Sequence, residues 1–362
     1  MLFSPALDLV IIGRSILSSF GNPQAELYRG LVGELAQHGH RTVFLERFSS
    51  EQDQPRDMLR TPYCEVWTYR DLESLKSDYR DAVRAADIVL LGSAVEGAAE
   101  ISEWLANEAQ GTKIYYDTDL GRTLRSLEAG NVDQECLSCK TIPVFDLYLS
   151  TTGGPSLENL AKDYQLRCAR PLYESIDPYF YYRTDAQKQY ELGFIGQNKD
   201  HRAARLERLL VEPARLTPNR QFALVGNGYD PQTANWPSNL TFLEYLPNTN
   251  LVDFYNRLHC SLVLNRQDRR ELGYTPSRRL LVAAACGVPI LVDSWAGLDE
   301  FFENGRDCYV VETEQDVLDV LYQLAPEVRR RVGASARERV IQEHTTAHRA
   351  SQLLRYWEEV AD

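Results

Sequence analysis

The segment YTPSRRLLVAAACGVPI, residues 274–290, has the residue types needed to begin and end a short helix. Ser277 is a good N-cap, because its hydroxyl can accept a hydrogen bond from an amide of the first turn. Gly287 can adopt the left-handed conformation that ends a helix, and Pro289 prevents its continuation. The unpaired amides at the beginning of such a helix attract phosphate.

Two arginines follow the predicted cap. Arg278 and Arg279 would repel the positive end of the helix unless an anion lies between them and the amides. We therefore predict a phosphate-binding site beside Ser277. The alternative is that one arginine simply pairs with Asp293 or Glu300.

A further basic residue, Arg266, lies just after the apolar run SLVL. Asn265 and Arg266 would lie at the carboxyl end of that strand, where ligands of parallel sheets bind. Arg266 is thus a second candidate anion ligand. Its alternative role is a salt bridge with Asp268 or Glu271.

The segment YYDTD supplies carboxylates. Asp117 and Asp119 follow a predicted strand, and a carboxylate near an acceptor hydroxyl can act as a general base. We name Asp117 as the catalytic candidate and place Asp119 on the acceptor side. Acidic residues at strand ends also cap the next helix, and this alternative role stays open for both aspartates.

Other loops offer weaker candidates. Gly13 and Arg14 follow the first strand, where acceptor loops lie, but GRSILSSFG is not a dinucleotide fingerprint. The turn 151–154, TTGG, either cradles a phosphate or is an ordinary strand-to-helix turn, which we favour.

Histidine and cysteine spacing does not indicate a metal site. His344 and His348 are one turn apart on the predicted closing helix, without an apparent third ligand, and we expect them to pack that helix. Cys136 and Cys139 form a single C-x-x-C pair. The seven scattered cysteines are typical of reduced thiols, and hence of a cytoplasmic protein.

Short buried strands alternate with helical patterns along the whole chain. This order predicts parallel crossover units, and therefore an α/β fold of two doubly wound, Rossmann-like domains that face each other across a cleft. The predicted strands of the first half are LDLVIIG, RTVFLER, ADIVLLGS, TKIYYDTD and FDLYLSTT. Those of the second half are YELGFIG, RQFALVGNG, NLTFLEYLP, CSLVLNR, VPILVD and DCYVVE.

A pause in this alternation suggests the domain boundaries. The proline- and tyrosine-rich stretch after residue 170 lacks periodicity, which indicates a linker. The predicted organisation is an N-terminal domain 1–172, a linker 173–190, a C-terminal domain 191–340, and a closing helix 341–362 that packs back across the domains.

Charge and hydropathy exclude some function classes. The formal charge of −13 argues against a broad nucleic-acid surface, which needs concentrated positive charge. No apolar run approaches the roughly 20 residues of a transmembrane segment, and the N-terminus lacks a basic region typical of export signals.

The chain resembles the CgeB-like (spore-maturation-protein-like) group 1 glycosyltransferases, which have the GT-B fold. The resemblance extends from about Leu7 to Val360. It is carried above all by NRQDRRELGYTPSRRLLVAAACGVPILVDSWAGLDEFFENGRD, and also by YYDTD, FDLYLSTTGGPSLENL, ELGFIGQNKDHRAARLERLLVEPA and EHTTAHRA.

The resemblance implies transfer of a sugar, most often a hexose, from a nucleotide-diphosphate donor to an unknown acceptor. It implies neither cofactor nor metal. The second domain would bind the donor and the first most of the acceptor. Residues that match the family's donor loops are Gly196, Arg202, Gly226, Gly228, Tyr245, Leu246, Tyr274, Thr275, Pro276, Ser277, Arg278 and Arg279.

One position departs from the family's pattern. Many related enzymes have two glutamates eight positions apart, the second of which binds the donor's ribose. Tyr274 and Val282 occupy these positions here, and valine cannot accept a hydrogen bond. Loss of that bond would weaken the site by roughly 1–3 kcal/mol. The alternative function is therefore a catalytically weak or inactive GT-B protein that binds a nucleotide or a partner protein.

Overall fold

The computed structural model of the protein describes residues 6–48, 56–130, 133–198, 202–230 and 235–361. The chain divides into two compact units. The first comprises Met1–Tyr173 together with Thr346–Asp362, and the second comprises Glu174–Thr345.

The first unit contains a parallel sheet in the order β3-β2-β1-β4-β5-β6-β7. Its strands are β1 Asp8–Gly13, β2 Arg41–Arg47, β3 Glu65–Tyr69, β4 Ile88–Gly92, β5 Thr112–Asp117, β6 Leu147–Ser150 and β7 Ala169–Pro171. The central strands are continuously apolar because both faces of the sheet are covered. Alternate residues of β1 enter two different cores: Leu9 and Ile11 lie on one face, and Val10 and Ile12 lie on the other.

Helices cover both faces of this sheet. They are α1 Gln24–Gln37, α2 Leu72–Asp78, α3 Arg80–Ala85, α4 Ala98–Glu108, α5 Leu120–Glu128, α6 Gly154–Asp163 and α14 Thr346–Ala361, with a 3-10 turn at Ile142–Val144. The last helix joins the first unit although it follows the second in sequence. Its apolar residues Ala350, Leu353, Tyr356 and Val360 are buried in the core that also holds Leu27 of α1.

The second unit contains a parallel sheet in the order β10-β9-β8-β11-β12-β13. Its strands are β8 Tyr190–Ile195, β9 Phe222–Val225, β10 Leu240–Leu243, β11 Leu258–Val263, β12 Ile290–Val292 and β13 Tyr309–Val310. One core of this unit contains Leu192, Phe194, Leu224 and Leu262, together with helix residues such as Leu210.

Helices connect these strands and follow the last of them. They are α7 Ala203–Leu206, α8 Glu212–Leu216, α9 Leu251–Asn256, α10 Gln267–Leu272, α11 Arg278–Ala285, α12 Glu314–Leu318 and α13 Pro326–Glu343. Single π-helical turns lie at Glu207–Val211 and Asp319–Gln323, and 3-10 turns lie at Asn248–Asn250 and Leu298–Glu300. The two parallel sheets and their helices confirm the predicted fold class of two Rossmann-like domains.

Every predicted strand is present, but two edge strands were missed. The β3 strand is only partly buried, so its residues show no apolar run. The β7 strand is three residues long and ends in Pro171, which is tolerated at the edge of a sheet. The residues from Arg170 onward therefore do not all belong to a linker, and most of the predicted linker lies in the second unit.

The prediction of one continuous closing helix is wrong. The chain leaves α13 at Glu343, and α14 begins at Thr346. The carbonyl of His344 accepts a hydrogen bond from the amide of Ile176 at 3.1 Å, and Thr345 forms a β-bridge with the same residue. This pairing with a distant segment replaces the continuing helical hydrogen bonds.

Candidate functional site

The strand order of the second unit creates a switch point between β8 and β11. The chain leaves β8 toward β9 on one side of the sheet and leaves β11 toward β12 on the other. Ligands of open parallel sheets bind beyond the carboxyl ends of such strands. Gly196 follows β8 and Asn265 follows β11, so both lie at this edge.

The loops after β8 and β9 approach each other closely. The Gly196 amide donates to the Val225 carbonyl at 2.8 Å. Gly226 has a φ of 149°, and a Cβ atom there would lie 1.9 Å from the Gly196 carbonyl oxygen. Only glycine fits this crossing of backbones. Asn198 stabilises the next turn, because its side-chain amide donates to the Gly228 carbonyl at 3.0 Å.

The beginning of α11 has the predicted geometry. Ser277 is the N-cap, and its Oγ accepts a hydrogen bond from the Leu280 amide at 3.4 Å. Gly287 has a φ of 67°, and its amide donates to the Ala284 carbonyl at 2.8 Å. The predicted cap at Ser277 and the predicted stop at Gly287 are both confirmed.

Arg279 pairs with neither Asp293 nor Glu300, the two acidic residues predicted as its alternative partners. Within the ranges that the structure describes, its guanidinium makes no ion pair or hydrogen bond, and its backbone amide donates to no acceptor. Asp293 is instead paired with Arg205 and Arg270. An accessible guanidinium and an unused amide therefore occur together at the beginning of α11.

The electrostatic surroundings of Arg279 favour an anion. Partial desolvation by the surrounding protein lowers the pKa of Arg279, and the neighbouring cations Arg269 and Arg266 lower it further, although the phenol groups of Tyr255 and Tyr229 act in the opposite direction. Several positive groups thus share one small region. An anion bound there would relieve their mutual repulsion.

Arg278 has a different environment. Its guanidinium carbon lies 5.7 Å from the centre of the Tyr181 ring, and Nη2 lies 3.5 Å from the phenol oxygen. A guanidinium over an aromatic face is a favourable cation–π arrangement. This contact gives Arg278 a role inside the second unit that needs no ligand.

Arg202 and Tyr229 lie close to this region. The Arg202 side chain is buried, and its Nη2 donates to the Gln197 carbonyl at 2.8 Å. Burial raises the pKa of Tyr229, while the charges of Arg202 and Arg279 oppose that rise. The Tyr229 hydroxyl is buried and has no hydrogen-bond partner among the described residues. Sequence reasoning missed Tyr229, although it follows Gly228 in the loop after β9.

The residues before the Ser277 cap have an unusual backbone. Tyr274 has a φ of 46°, and its amide donates to the Ala296 carbonyl at 2.7 Å. A left-handed non-glycine residue costs of the order of 1 kcal/mol and occurs preferentially at functional sites. Its ring occupies the space that a Cβ at Gly297 would need, 2.4 Å from Cδ1. Thr275 and Pro276 are buried.

Arg266 forms the salt bridge that was its alternative role. Its Nε and Nη2 atoms lie 3.1 and 2.7 Å from the two carboxylate oxygens of Asp268. Tyr245 and Leu246 lie just after β10, where Tyr245 is exposed and Leu246 is partly buried.

A buried network connects α7 with the ends of β11 and β12. Arg205 pairs with Asp293 and also donates to the Asn265 carbonyl at 2.9 Å. The Asn265 amide donates to Asp293 at 3.1 Å, and Arg270 lies 3.4 Å from the same carboxylate. Burial raises the pKa of Asp293 although these three groups oppose the rise, and burial lowers the pKa of Arg205.

Val282 is buried within α11, with 3% of its surface exposed. The side chain at this position is therefore apolar and packs into the protein.

Asp117 does not have the environment of a general base. It is fully buried, Tyr148 donates to Oδ2 at 2.7 Å, and the Asp119 amide donates to Oδ1 at 2.9 Å. Burial raises its pKa, although the hydrogen bonds from Tyr148, Thr123 and the Asp119 amide oppose that rise. Our catalytic assignment of Asp117 is corrected here: this carboxyl organises the turn between β5 and α5 and is closed to an acceptor.

The remaining candidates of the first unit lie at the same edge of its sheet. Asp119 is the N-cap residue of α5, and its carbonyl accepts from the Arg122 amide at 2.9 Å. Gly13 ends β1 against the ring of Phe44, and Arg14 is exposed, with Nη1 3.5 Å from the Gly21 carbonyl. The turn 151–154 leads into α6, as expected.

The expectation that His344 and His348 share one helix is wrong. His344 ends α13 and packs against Phe301 with ring centres 5.8 Å apart, whereas His348 lies in α14. The described ranges contain no group of three histidine, cysteine or acidic residues suited to a metal ion. None of the described helices is long and apolar enough to span a membrane.

Comparisons with known proteins agree with this architecture. Residues 202–355 match the family model described as "Glycosyl transferase-like". No match was found among curated protein sequences.

Solved structures resemble the chain over nearly its whole length. Sucrose-phosphate synthase from Thermosynechococcus elongatus has a TM-score of 0.68 at 15% identity, with 98% of each chain covered. HepE from Anabaena, in complex with UDP-glucose, has a TM-score of 0.69 at 12% identity, covering 98% of this chain and 100% of that one. The T4 phage enzyme BGT, also in complex with UDP-glucose, has a TM-score of 0.62 at 12% identity, and the match covers 98% of this chain and 99% of that one. The chain therefore has the GT-B fold, and its residues 202–355 have the sequence pattern of the glycosyl transferase-like family.

Proposed function

We propose that this protein is a glycosyltransferase that binds a nucleotide-diphosphate sugar at the second unit and transfers the sugar to an acceptor. The family match over residues 202–355 covers Arg202, Asn265 and the whole of α11, so it coincides with the candidate site. Membership of the CgeB-like subgroup, transfer of a hexose and a cytoplasmic location are finer parts of the same proposal.

The observation that carries the proposal is the unpaired Arg279 at the beginning of α11. A cation at the positive end of a helix, without a partner among the described residues, is unfavourable unless an anion binds there. A diphosphate can accept hydrogen bonds from the guanidinium and from the helix amide at the same time. The Tyr229 hydroxyl and Arg202 would add a donor and a positive charge.

The same groups would assist the chemical step. In the transfer, the bond between the anomeric carbon and the donor's phosphate oxygen breaks, and a bond to the acceptor oxygen forms. The acceptor loses its proton to a base, and the bonding electrons of the broken bond leave with the diphosphate. Arg279 and the α11 amide would stabilise the negative charge that develops on this leaving group.

UDP-glucose is the first donor to test, because the solved complexes of HepE and of T4 BGT contain it. A solved structure of a DNA-modifying β-glucosyltransferase also resembles the chain, with a TM-score of 0.65 at 10% identity. The charge of −13 on this chain nevertheless disfavours a broad DNA-binding surface.

The test is release of nucleoside diphosphate from UDP-glucose and from GDP-mannose by the purified protein, with and without a chelator. We expect one donor to be slowly hydrolysed, with no loss in EDTA, because arginine and amides neutralise the diphosphate. Arg279→Ala should lower the rate about tenfold or more. Arg330→Ala is the matched control, since Arg330 pairs with the exposed Glu327 on α13. Equal rates for wild type and Arg279→Ala would refute the assignment.

A non-catalytic nucleotide-binding protein is the second candidate function. Buried Val282 and the buried carboxyl of Asp117 favour it, because neither supplies the ribose contact or the base that transfer would use. This candidate predicts that nucleoside diphosphates stabilise the protein while no donor releases its diphosphate, even with a panel of sugar acceptors.

A further inference from the structure

Asn265 has an unusual hydrogen-bonding environment for a buried residue. Only 3% of its surface is exposed, yet neither Oδ1 nor Nδ2 of its side chain has a partner among the described residues. Buried amides are nearly always hydrogen-bonded, since each unpaired polar group loses its interactions with water.

Among the described residues of the second unit, two other asparagines are buried, and they show the ordinary pattern. The Asn256 side chain donates to the carbonyls of Tyr182 and Val252 and accepts from the Thr184 amide at 2.7 Å. Asn239 donates to three carbonyls of the loop around Thr217. These two hold the backbone together, which the side chain of Asn265 does not.

The backbone of Asn265 is nevertheless held firmly. Its carbonyl accepts from Arg205 and its amide donates to Asp293, so the residue is anchored at the switch point between β8 and β11. Reorienting the side chain breaks no hydrogen bond with a described residue. The fold therefore positions an amide group at the candidate site and leaves its bonding capacity unused.

On the basis of the proposed function, we infer that the Asn265 side chain is a specificity-determining ligand for the sugar of the nucleotide-sugar donor. An amide offers one donor group and one acceptor, as does a sugar hydroxyl. A diphosphate offers acceptors only and would leave Oδ1 unpaired. The amide chemistry therefore matches a hydroxyl better than it matches a phosphate.

The strand order separates this ligand from the nucleobase. The expected base positions follow β9 and β10, on the far side of β8 from β11. Adjacent strands are about 4.8 Å apart, so the end of β11 lies roughly 10 Å from the end of β9. A donor whose diphosphate meets α11 and whose base lies over β9 and β10 would direct its sugar toward Asn265.

The experiment compares affinities for a nucleotide sugar and for the nucleoside diphosphate alone. Calorimetry with UDP-glucose and UDP, and with GDP-mannose and GDP, is performed on wild type, Asn265→Leu and Arg279→Ala. We expect Asn265→Leu to weaken binding of the nucleotide sugar about tenfold and to leave the affinity for the nucleoside diphosphate unchanged. Arg279→Ala should weaken both.

Three affinity results would overturn the inference. If Asn265→Leu changes neither affinity while Arg279→Ala weakens both, the sugar assignment fails and the proposed function stands. If Asn265→Leu weakens binding of the nucleotide sugar and of the nucleoside diphosphate equally, the amide contacts the base or the phosphates. If the wild type binds none of the four ligands, both the proposed function and this inference fail.

A stability measurement separates a ligand role from a structural one. Asn256→Leu, the matched control, breaks satisfied hydrogen bonds and should lower the melting temperature. Asn265→Leu should leave it unchanged or raise it, because it removes an unpaired amide. A drop as large as that of Asn256→Leu would show that Asn265 supports the fold through a water molecule, and the inference would be wrong.

Discussion

Arg278 and Arg279 are consecutive residues of α11 with opposite surroundings. The Arg278 guanidinium lies 5.7 Å from the centre of the Tyr181 ring, whereas that of Arg279 makes no ion pair or hydrogen bond in the described chain. Successive side chains on a helix point about 100° apart, which explains how neighbours can face different groups. One arginine is held by the protein, and the other is available to a ligand.

This difference predicts opposite effects of two alanine substitutions. Arg279→Ala should abolish the thermal shift produced by UDP or GDP while changing the ligand-free melting temperature little. Arg278→Ala should lower the ligand-free melting temperature, through loss of a cation–π contact worth about 0.5–2 kcal/mol, and keep the ligand-induced shift. Thermal denaturation with and without nucleotide measures both. A shift that survives in Arg279→Ala would contradict the anion site.

Tyr229→Phe removes a single hydroxyl and tests whether that hydroxyl serves the anion. We expect weaker binding of the nucleoside diphosphate, by several-fold, with no loss of stability, because the hydroxyl has no partner among the described residues. Tyr309→Phe is the matched control. Its hydroxyl is also buried and unpaired, but it lies on β13 near Cys260 and Arg329. If both variants bind nucleotide as tightly as wild type, Tyr229 is not a ligand.

The Arg205–Asp293 pair should be important for folding of the second unit. Arg205→Ala leaves a buried carboxylate without its main partner, which typically costs about 3–5 kcal/mol. Arg270→Ala is the control, because Arg270 is more distant from Asp293 and more exposed; it should cost less than about 1 kcal/mol. Urea denaturation compares the free energies of unfolding. Equal losses for the two variants would mean that Arg205 is not the dominant partner.

The buried carboxyl of Asp117 should make the stability of the protein depend on pH. Burial raises its pKa in the folded protein above the unfolded value of about 3.9. The folded state therefore binds the proton more tightly, and the contribution of Asp117 to stability is lost as pH rises from about 3.9 through the folded pKa. The nearly isosteric Asp117→Asn lacks this titration. Relative to wild type, it should be less stable near pH 4 than near pH 7, as measured by urea denaturation. A difference that is constant with pH would show that the carboxyl is not perturbed.

Local features of the sequence were sufficient to predict the fold and the beginning of α11. Continuous apolar runs identify strands buried on both faces, and their alternation with helices requires parallel sheets. Ser277 and Gly287 act through hydrogen bonds to residues only a few positions away, so their roles can be read without the structure. The missed strands β3 and β7 are short edges with little apolar burial, and apolar burial is the signal on which such predictions depend.

Partner choice was decided only by the tertiary structure. The sequence placed arginines near Asp293, but the carboxylate pairs with Arg205, 88 residues away. Asp117 is the last residue of β5 and has the sequence position of an accessible base, yet the packing of Tyr148 closes it. The helix ends at Glu343, and the next carbonyl, that of His344, accepts a hydrogen bond from the amide of the distant Ile176 instead of a helical one. Helix caps and strand patterns depend on neighbours along the chain, whereas burial, ion pairing and unpaired groups such as Arg279 and Asn265 depend on which distant residues the fold brings close.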